Sequence, residues 1–209
     1  MVNWRRDFMN YQKELEHIID QIKQEEKVPT LLLHSCCGPC SSYVLEYLSN
    51  YFKITIFYYN PNMDTKEEYL KRENEQIRLL NEMSFKYPVS YLKCEYNPKK
   101  YYEKVKGLEQ EKEGGLRCHK CYELRLEKTA EIAKMNNFDY FTTTLSVSPY
   151  KNAQILNELG KMLEQKHNIK YLYADFKKRE GYKRSIILSK EYQLYRQEYC
   201  GCVYSKVIK

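Results

Sequence analysis

The chain has 209 residues and carries 35 Lys and Arg against 28 Asp and Glu, a formal charge of +7 at pH 7. That length suits one sizeable α/β domain or two small ones, and the mild basic excess favours an anionic partner without requiring one. No apolar stretch is long enough to span a bilayer, and "MVNWRRDFMNYQ" at the N-terminus lacks the apolar core of a signal peptide, so no membrane role is expected and the expected compartment is the cytoplasm.

In chain order, residues 5–26 have helical spacing, with Leu15, Ile18, Ile19 and Ile22 on one face. "TLLLHS" (30–35) is a short continuous apolar run, the pattern of a strand buried on both faces of a parallel sheet. Pro39 suits the first turn of the next helix, which turns Tyr43, Val44, Tyr47 and Leu48 inward. "FKITIFYY" (52–59) is a second strand, closed by the turn "NPN" (60–62), and Thr65 to Met83 is a charged helix. "YPVSYL" (87–92) is a third strand, followed by a short helix in "NPKKYYEKVKGLE" and a loop at "KEGG" (112–115). Residues 118–137 are helical through Leu124, Leu126, Ala130 and Ala133, and "FDYFTTT" (138–144) is a fourth strand. A helix over 151–166, a fifth strand "IKYLYA" (169–174), a helix over 180–197 and a tail "EYCGCVYS" (198–205) complete the chain. Strands alternating with helices at this interval predict a parallel α/β sheet, whose ligands bind beyond the carboxyl ends of the strands. That rule puts Cys36, Cys37 and Cys40 at the site, bordered by Asn60, Asn62 and Thr142 to Ser148.

The eight cysteines are grouped: Cys36, Cys37 and Cys40; Cys118 and Cys121; Cys200 and Cys202; and Cys94 alone. In a reducing compartment such grouping means metal or redox chemistry rather than a disulfide framework. From Cys37, Cys-Gly-Pro-Cys has the form of a thioredoxin-type redox site, but that reading leaves five of the other thiols without a role. Cys118 and Cys121 open a helix, where free N–H groups and the helix dipole stabilise thiolates. A structural zinc is the commonest use of two short cysteine groups, yet adjacent Cys36 and Cys37 make an awkward bite on one tetrahedral ion. An iron–sulfur cluster offers separate corners to neighbouring cysteines, so Cys36, Cys37, Cys118 and Cys121 fit it better. Cys40 is then a spare thiol for a second metal, a proton or packing, and Cys94 reads as a small buried hydrophobe. A disulfide across Cys200-Gly201-Cys202 would be strained and therefore redox-active; the alternative is a pair of unlinked tail thiols. In "KKREGYKR" (177–184), Lys177, Lys178, Arg179, Lys183 and Arg184 surround Tyr182, which suits a phosphodiester backbone with exposed bases or simply a solvated face. The 22 tyrosines offer further stacking surfaces, or reflect a compositional bias of the coding DNA.

Through "HSCCGPCSS", "YYNPN", "EEYLKR", "RCHKCYELRLEKTA", "FTTTLSVSPYKN", "DFKKREGYKRS" and "YRQEYCGCVYS", in order from about residue 30 to 205, the chain resembles the cobalamin-independent epoxyqueuosine reductases, the QueH family. The resemblance implies a single Rossmann-like (HUP-type) α/β domain with a mainly parallel five-stranded sheet over residues 30–209, preceded by an N-terminal helical extension over 1–29. It implies reduction of epoxyqueuosine at the tRNA wobble position to queuosine, with electrons from an external donor and no cobalamin. It also implies a 4Fe-4S cluster on Cys36, Cys37, Cys118 and Cys121, an additional iron for which Cys40 is the chosen ligand, and a redox-active pair, Cys200 and Cys202. Removing an epoxide oxygen as water takes two electrons, two protons and an electrophile for the oxygen, and a base in an anticodon loop is already single-stranded, so splaying it out costs little. Expected substrate or tRNA contacts are Asn60, Thr142 to Thr144, Tyr150, Lys151, Tyr182, Lys183 and Arg184; conceivable proton donors are His34, His119, Tyr58 and Asp175. The competing expectations are a thiol–disulfide oxidoreductase and a zinc-stabilised RNA-binding module.

Overall fold

The computed structural model describes residues 10–206. Strands β1 (Thr30–His34), β2 (Lys53–Phe57), β3 (Val89–Leu92), β4 (Tyr140–Thr143) and β5 (Lys170–Tyr171) form one sheet in the order β3-β2-β1-β4-β5, with every pairing parallel. The helices are α1 (Tyr11–Gln24), α2 (Gly38–Leu48), α3 (Lys66–Glu82), α4 (Lys99–Val105), α5 (Leu116–Met135), α6 (Ala153–His167) and α7 (Gly181–Glu191). The part of the first expected helix before residue 10 lies outside the described residues.

The central strand explains the layering. Alternate residues of a strand point to opposite faces. Leu31 and Leu33 accordingly join Leu15 and Ile19 of α1, Val44 and Leu48 of α2 and Leu79 of α3 in one core. Leu32 joins Leu126 and Ala130 of α5 and Leu156 and Leu163 of α6 in the other. Helix starts follow local chemistry: Asn10, Thr65 and Asn152 each accept a first-turn N–H of α1, α3 and α6, and Pro39 sits in the first turn of α2. Because β2 and β3 lie on one side of β1 while β4 and β5 lie on the other, the strand order reverses between β1 and β4. A crevice opens there, beyond the carboxyl ends of both strands. Among the described residues no helix is long and apolar enough to cross a membrane.

The strands end within a few residues of their sequence pattern or short of it, and β5 and α7 stop well short. β5 stops at Tyr171 because side chains take over its backbone groups: Thr142 Oγ1 donates to Leu172 O (2.8 Å), and the Asn157 amide pairs with both Ala174 N (3.0 Å) and Ala174 O (2.9 Å). α7 stops at Glu191 rather than 197: Gln193 adopts φ 48°, Leu194 N turns back to Ser189 O (2.8 Å), and Arg78 Nη2 donates to Tyr192 O (2.8 Å).

Gly160 of α6 shows how closely the second core is packed, since an added Cβ would sit 2.3 Å from the Tyr171 ring. Alanine gains about 0.5–1 kcal/mol of helix propensity over glycine, but forcing a group into a full core costs about 1–3 kcal/mol. Gly160→Ala should therefore lower the urea midpoint; a raised midpoint would mean that Tyr171 swings aside freely.

Candidate metal centre

β1 delivers its last residue, His34, to the crevice, and Cys36 and Cys37 follow before α2 begins. Their sulfurs are 3.7 Å apart, and with Cys40, one turn into α2, they form a trio within 4.8 Å of one another. Thr144 Oγ1, after β4, lies 3.8 Å from Cys36 Sγ. Buried thiols this close titrate as one unit. Hydrogen bonds from Cys37 and Cys40 hold Cys36 well below the usual thiol range, helped by the charges of Arg125 and Lys151 and opposed by burial. The same bond, seen from the donor, pushes Cys37 up to about 12.

Cys118 and Cys121 lie in the first turns of α5, as the sequence predicts, with Gly114 N donating to Cys118 Sγ at 3.2 Å. They stand outside the close trio, but Arg125, one helical turn after Cys121, links the two groups. Arg125 is 1% exposed, and its Nη1 lies 3.9 Å from Cys121 Sγ while its charge acts on Cys36 and Cys200. Its remaining edges are fixed: Nη2 donates to Asn60 Oδ1 (2.7 Å) and Nε to His34 Nε2 (3.2 Å). The His34 ring is fixed on both sides: Nε2 lies 3.2 Å from both Arg125 Nε and Tyr59 O, and Nδ1 lies 2.8 Å from Thr143 Oγ1. Burial, with the Arg125 charge beside it, lowers His34 to about 3 and keeps it neutral. Lys151 is the second cation: burial disfavours its charge, but Cys200, Cys36 and Cys40 outweigh that and raise its pKa.

The tail brings the third cysteine group to the same place. Cys200 lines a cavity of about 320 Å³ with Cys36, Cys40, Arg72, Arg125 and Lys151. Cys202 is buried against Cys121, Tyr101 and Val105. Both are free thiols. Gly201 between them has φ 121°, and a Cβ there would meet Met63 Sδ at 2.5 Å, so only glycine fits. Arg72 of α3, 1% exposed, donates Nη1 to Cys200 O (3.2 Å), Nη2 to Tyr199 O (3.4 Å) and Nε to Glu68 Oε1 (2.6 Å). Asp64 N donates to Gly201 O (2.9 Å), Tyr199 Oη to Asp64 Oδ1 (2.8 Å), and Gln197 Nε2 to Cys37 Sγ (3.0 Å).

Of the other residues expected at the site, Lys151 and Tyr182 line the cavity, whereas Lys183 and Arg184 do not. Arg184 Nε donates to Glu46 Oε2 (2.9 Å), Arg179 pairs with Glu16 (2.6 Å), Lys177 with Asp175 (2.9 Å) and Lys183 with Glu180 (3.3 Å), so most of the basic run is engaged within the protein. Asn60 is buried and holds Arg125 and Ser35 O rather than facing open space. Thr142 is occupied by Leu172 O. Tyr58 Oη donates to Tyr69 O (3.4 Å), His119 lies against Tyr122 and Asp175 pairs with Lys177; none of the three lines the thiol cavity. Cys94 packs at the edge of the second core, as a small hydrophobe does. Arg72, Arg125 and Gln197 were not singled out in the sequence. Arg125 carried a signal, its i+4 spacing from Cys121, which puts both on one helix face.

The family model described as "Epoxyqueuosine reductase QueH" matches residues 31–207. Relatives of that name include one from Staphylococcus epidermidis, 46% identical over 201 residues (94% of this chain, 84% of the relative). One from Streptococcus pyogenes is 41% identical over 199 residues (94% and 78%), and one from Thermotoga maritima 35% identical over 179 (84% and 90%).

The Arg72 fork makes a specific prediction. Lysine keeps the charge but cannot reach two carbonyls and Glu68 at once. Arg72→Lys should cost about 1.5–3 kcal/mol, the range for a hydrogen bond to a charged group, and speed amide exchange across 199–202. Unchanged exchange there would mean that the tail is held by its other contacts.

Proposed function

The chain belongs to the QueH family of epoxyqueuosine reductases, and on that footing we propose that it reduces epoxyqueuosine at the wobble position of tRNA to queuosine. The observation that carries this reading is the meeting of three cysteine segments, distant in sequence, around the buried Arg125 and the half-buried Lys151 in the crevice beyond β1 and β4. Soft thiol donors beside Arg125 and Lys151 fit an anionic metal–sulfur group. Cys36, Cys37, Cys118 and Cys121 would hold a 4Fe-4S cluster, and Cys40, close to Cys36 and Cys37, would serve an additional iron. When bound, these groups supply single electrons and a Lewis acid for the epoxide oxygen.

The chain's own residues account for the rest. Arg125 and Lys151 balance the thiolate charge, and the Lys151 ammonium on the cavity wall is a donor for the departing epoxide oxygen. Cys200 and Cys202 make the reaction balance: dithiol plus epoxide gives disulfide, alkene and water, after which an external donor returns two electrons and two protons to the pair. The freedom of Gly201 lets the turn open and close. A thiol–disulfide oxidoreductase would leave Cys118 and Cys121 without a role, and a zinc-stabilised RNA-binding module would leave Cys200 and Cys202 without one. Neither is favoured.

Anaerobically purified protein should be brown and iron-containing. Cys118→Ser and Cys121→Ser should each lose iron and colour, because a hydroxyl is a poor substitute for thiolate, while Cys94→Ser keeps both. Cys200→Ser and Cys202→Ser should keep iron but lose turnover on tRNA carrying epoxyqueuosine. Full turnover in both would remove the tail from the reaction, loss of iron would make it a ligand, and a colourless zinc protein without turnover would favour the RNA-binding module.

A further inference from the structure

Next to the thiol cavity lies a larger, more open groove of about 870 Å³. The two share a single ridge, Pro149, Tyr150 and Lys151. The ridge is a tight turn: Lys151 N donates to Ser148 O (3.2 Å) and Tyr150 N to Ser148 Oγ (3.4 Å). Lys177 braces it from below, its ammonium donating to Ser146 O (3.0 Å) and Lys151 O (3.3 Å). The result is a division of labour between neighbours. Lys151 turns inward to the thiols, while the Tyr150 ring stands 78% exposed at the crest.

The groove beyond the crest has the composition of a single-stranded RNA site. Tyr11 and Tyr173 line its wall with near-parallel rings, 8° apart in orientation and 6.5 Å between centroids. Lys177 pairs with Asp175 at 2.9 Å, which leaves Lys161 and Glu158 as the groove's other charged groups beyond Lys151. Exposed aromatic faces stack unpaired bases irrespective of sequence, and a neighbouring lysine can meet the phosphate between them. A base lowered into the thiol cavity stays joined through phosphodiesters to its neighbours, so the strand must cross a rim of that cavity. The Tyr150 ridge is a rim of that cavity that leads into a second, larger groove.

We propose that this groove seats the nucleotide adjacent to the modified one in the anticodon loop, its base stacked on Tyr150 and its phosphate beside Lys161. The inference rests on the reading above that the substrate is a tRNA. Tyr150 is then a specificity contact that turns the loop over the ridge and commits the modified base to the thiol side.

Fluorescence anisotropy with an anticodon stem–loop RNA tests this on the intact, metal-loaded protein. Tyr150→Ala should weaken binding roughly 5- to 100-fold, the range for loss of one base–aromatic stack, and Tyr150→Phe should bind like the wild type. Lys161→Gln should reduce the slope of log affinity against log salt by about 0.7–0.9. Replacing a nucleotide next to the wobble position by an abasic one should erase the difference between wild type and Tyr150→Ala for one flanking side. Iron content and the visible spectrum should not change in any variant. Wild-type binding by both Tyr150→Ala and Lys161→Gln overturns the proposal, as does slowed turnover with unchanged RNA affinity, which would assign the groove to the electron donor. A wild-type protein that does not bind the stem–loop at all overturns the tRNA reading itself.

Discussion

The buried guanidinium of Arg125 is the constraint around which the centre is built. A charge removed from water costs several kcal/mol unless anions and hydrogen-bond acceptors surround it, and Arg125 is almost completely buried. Its partners come from three elements: His34 at the end of β1, Asn60 after β2 and Cys121 on its own helix. The remaining requirement is negative charge, and the thiols of Cys121, Cys36 and Cys200 are the groups that supply it. Arg125 therefore both demands and stabilises thiolates, the form in which cysteines act as nucleophiles and ligands.

Arg72 repeats the device at the mouth of the cavity with different acceptors. There the buried fork is met by two tail carbonyls and by Glu68, and the Tyr199 ring lies 5.1 Å from the guanidinium carbon. One arginine orders the floor of the centre and the other its cover. Arg72 lies in a charged helix whose sequence gives no hint of burial, whereas Arg125 is marked only by its spacing from Cys121.

What the sequence reveals follows from which interactions are local. Continuous apolar strands, helix caps and Pro39 act within a few residues, and the five strands and their layering were legible from them. The ends of β5 and α7 were not, because Asn157 and Arg78 replace backbone partners from elsewhere in the fold. The cysteine groups were legible by type and spacing, and the reversal point of the sheet by strand order. The engagement of the basic run was not legible, because Arg184 finds Glu46 across 138 residues, a pairing no local pattern announces. The first helix lies outside the segments that carry the family resemblance, yet Leu15, Ile19 and Ile22 belong to the main core.

The tail's anchorage has a consequence in time. Cys200 follows Arg72 by 128 residues, so a ribosome has made every other cysteine of the centre before the carbonyls that satisfy Arg72 exist. Chains fold from the N-terminal side as they emerge. Late in synthesis, once β4 (Tyr140–Thr143) has been made, the central strands and the first two cysteine groups can assemble while the crevice lacks its cover. The nascent protein thus passes through a stage in which its thiols are gathered but still open to solvent, and the arrival of the last segment covers them. Assembly of the centre is ordered by nothing more than the direction in which the polypeptide is read.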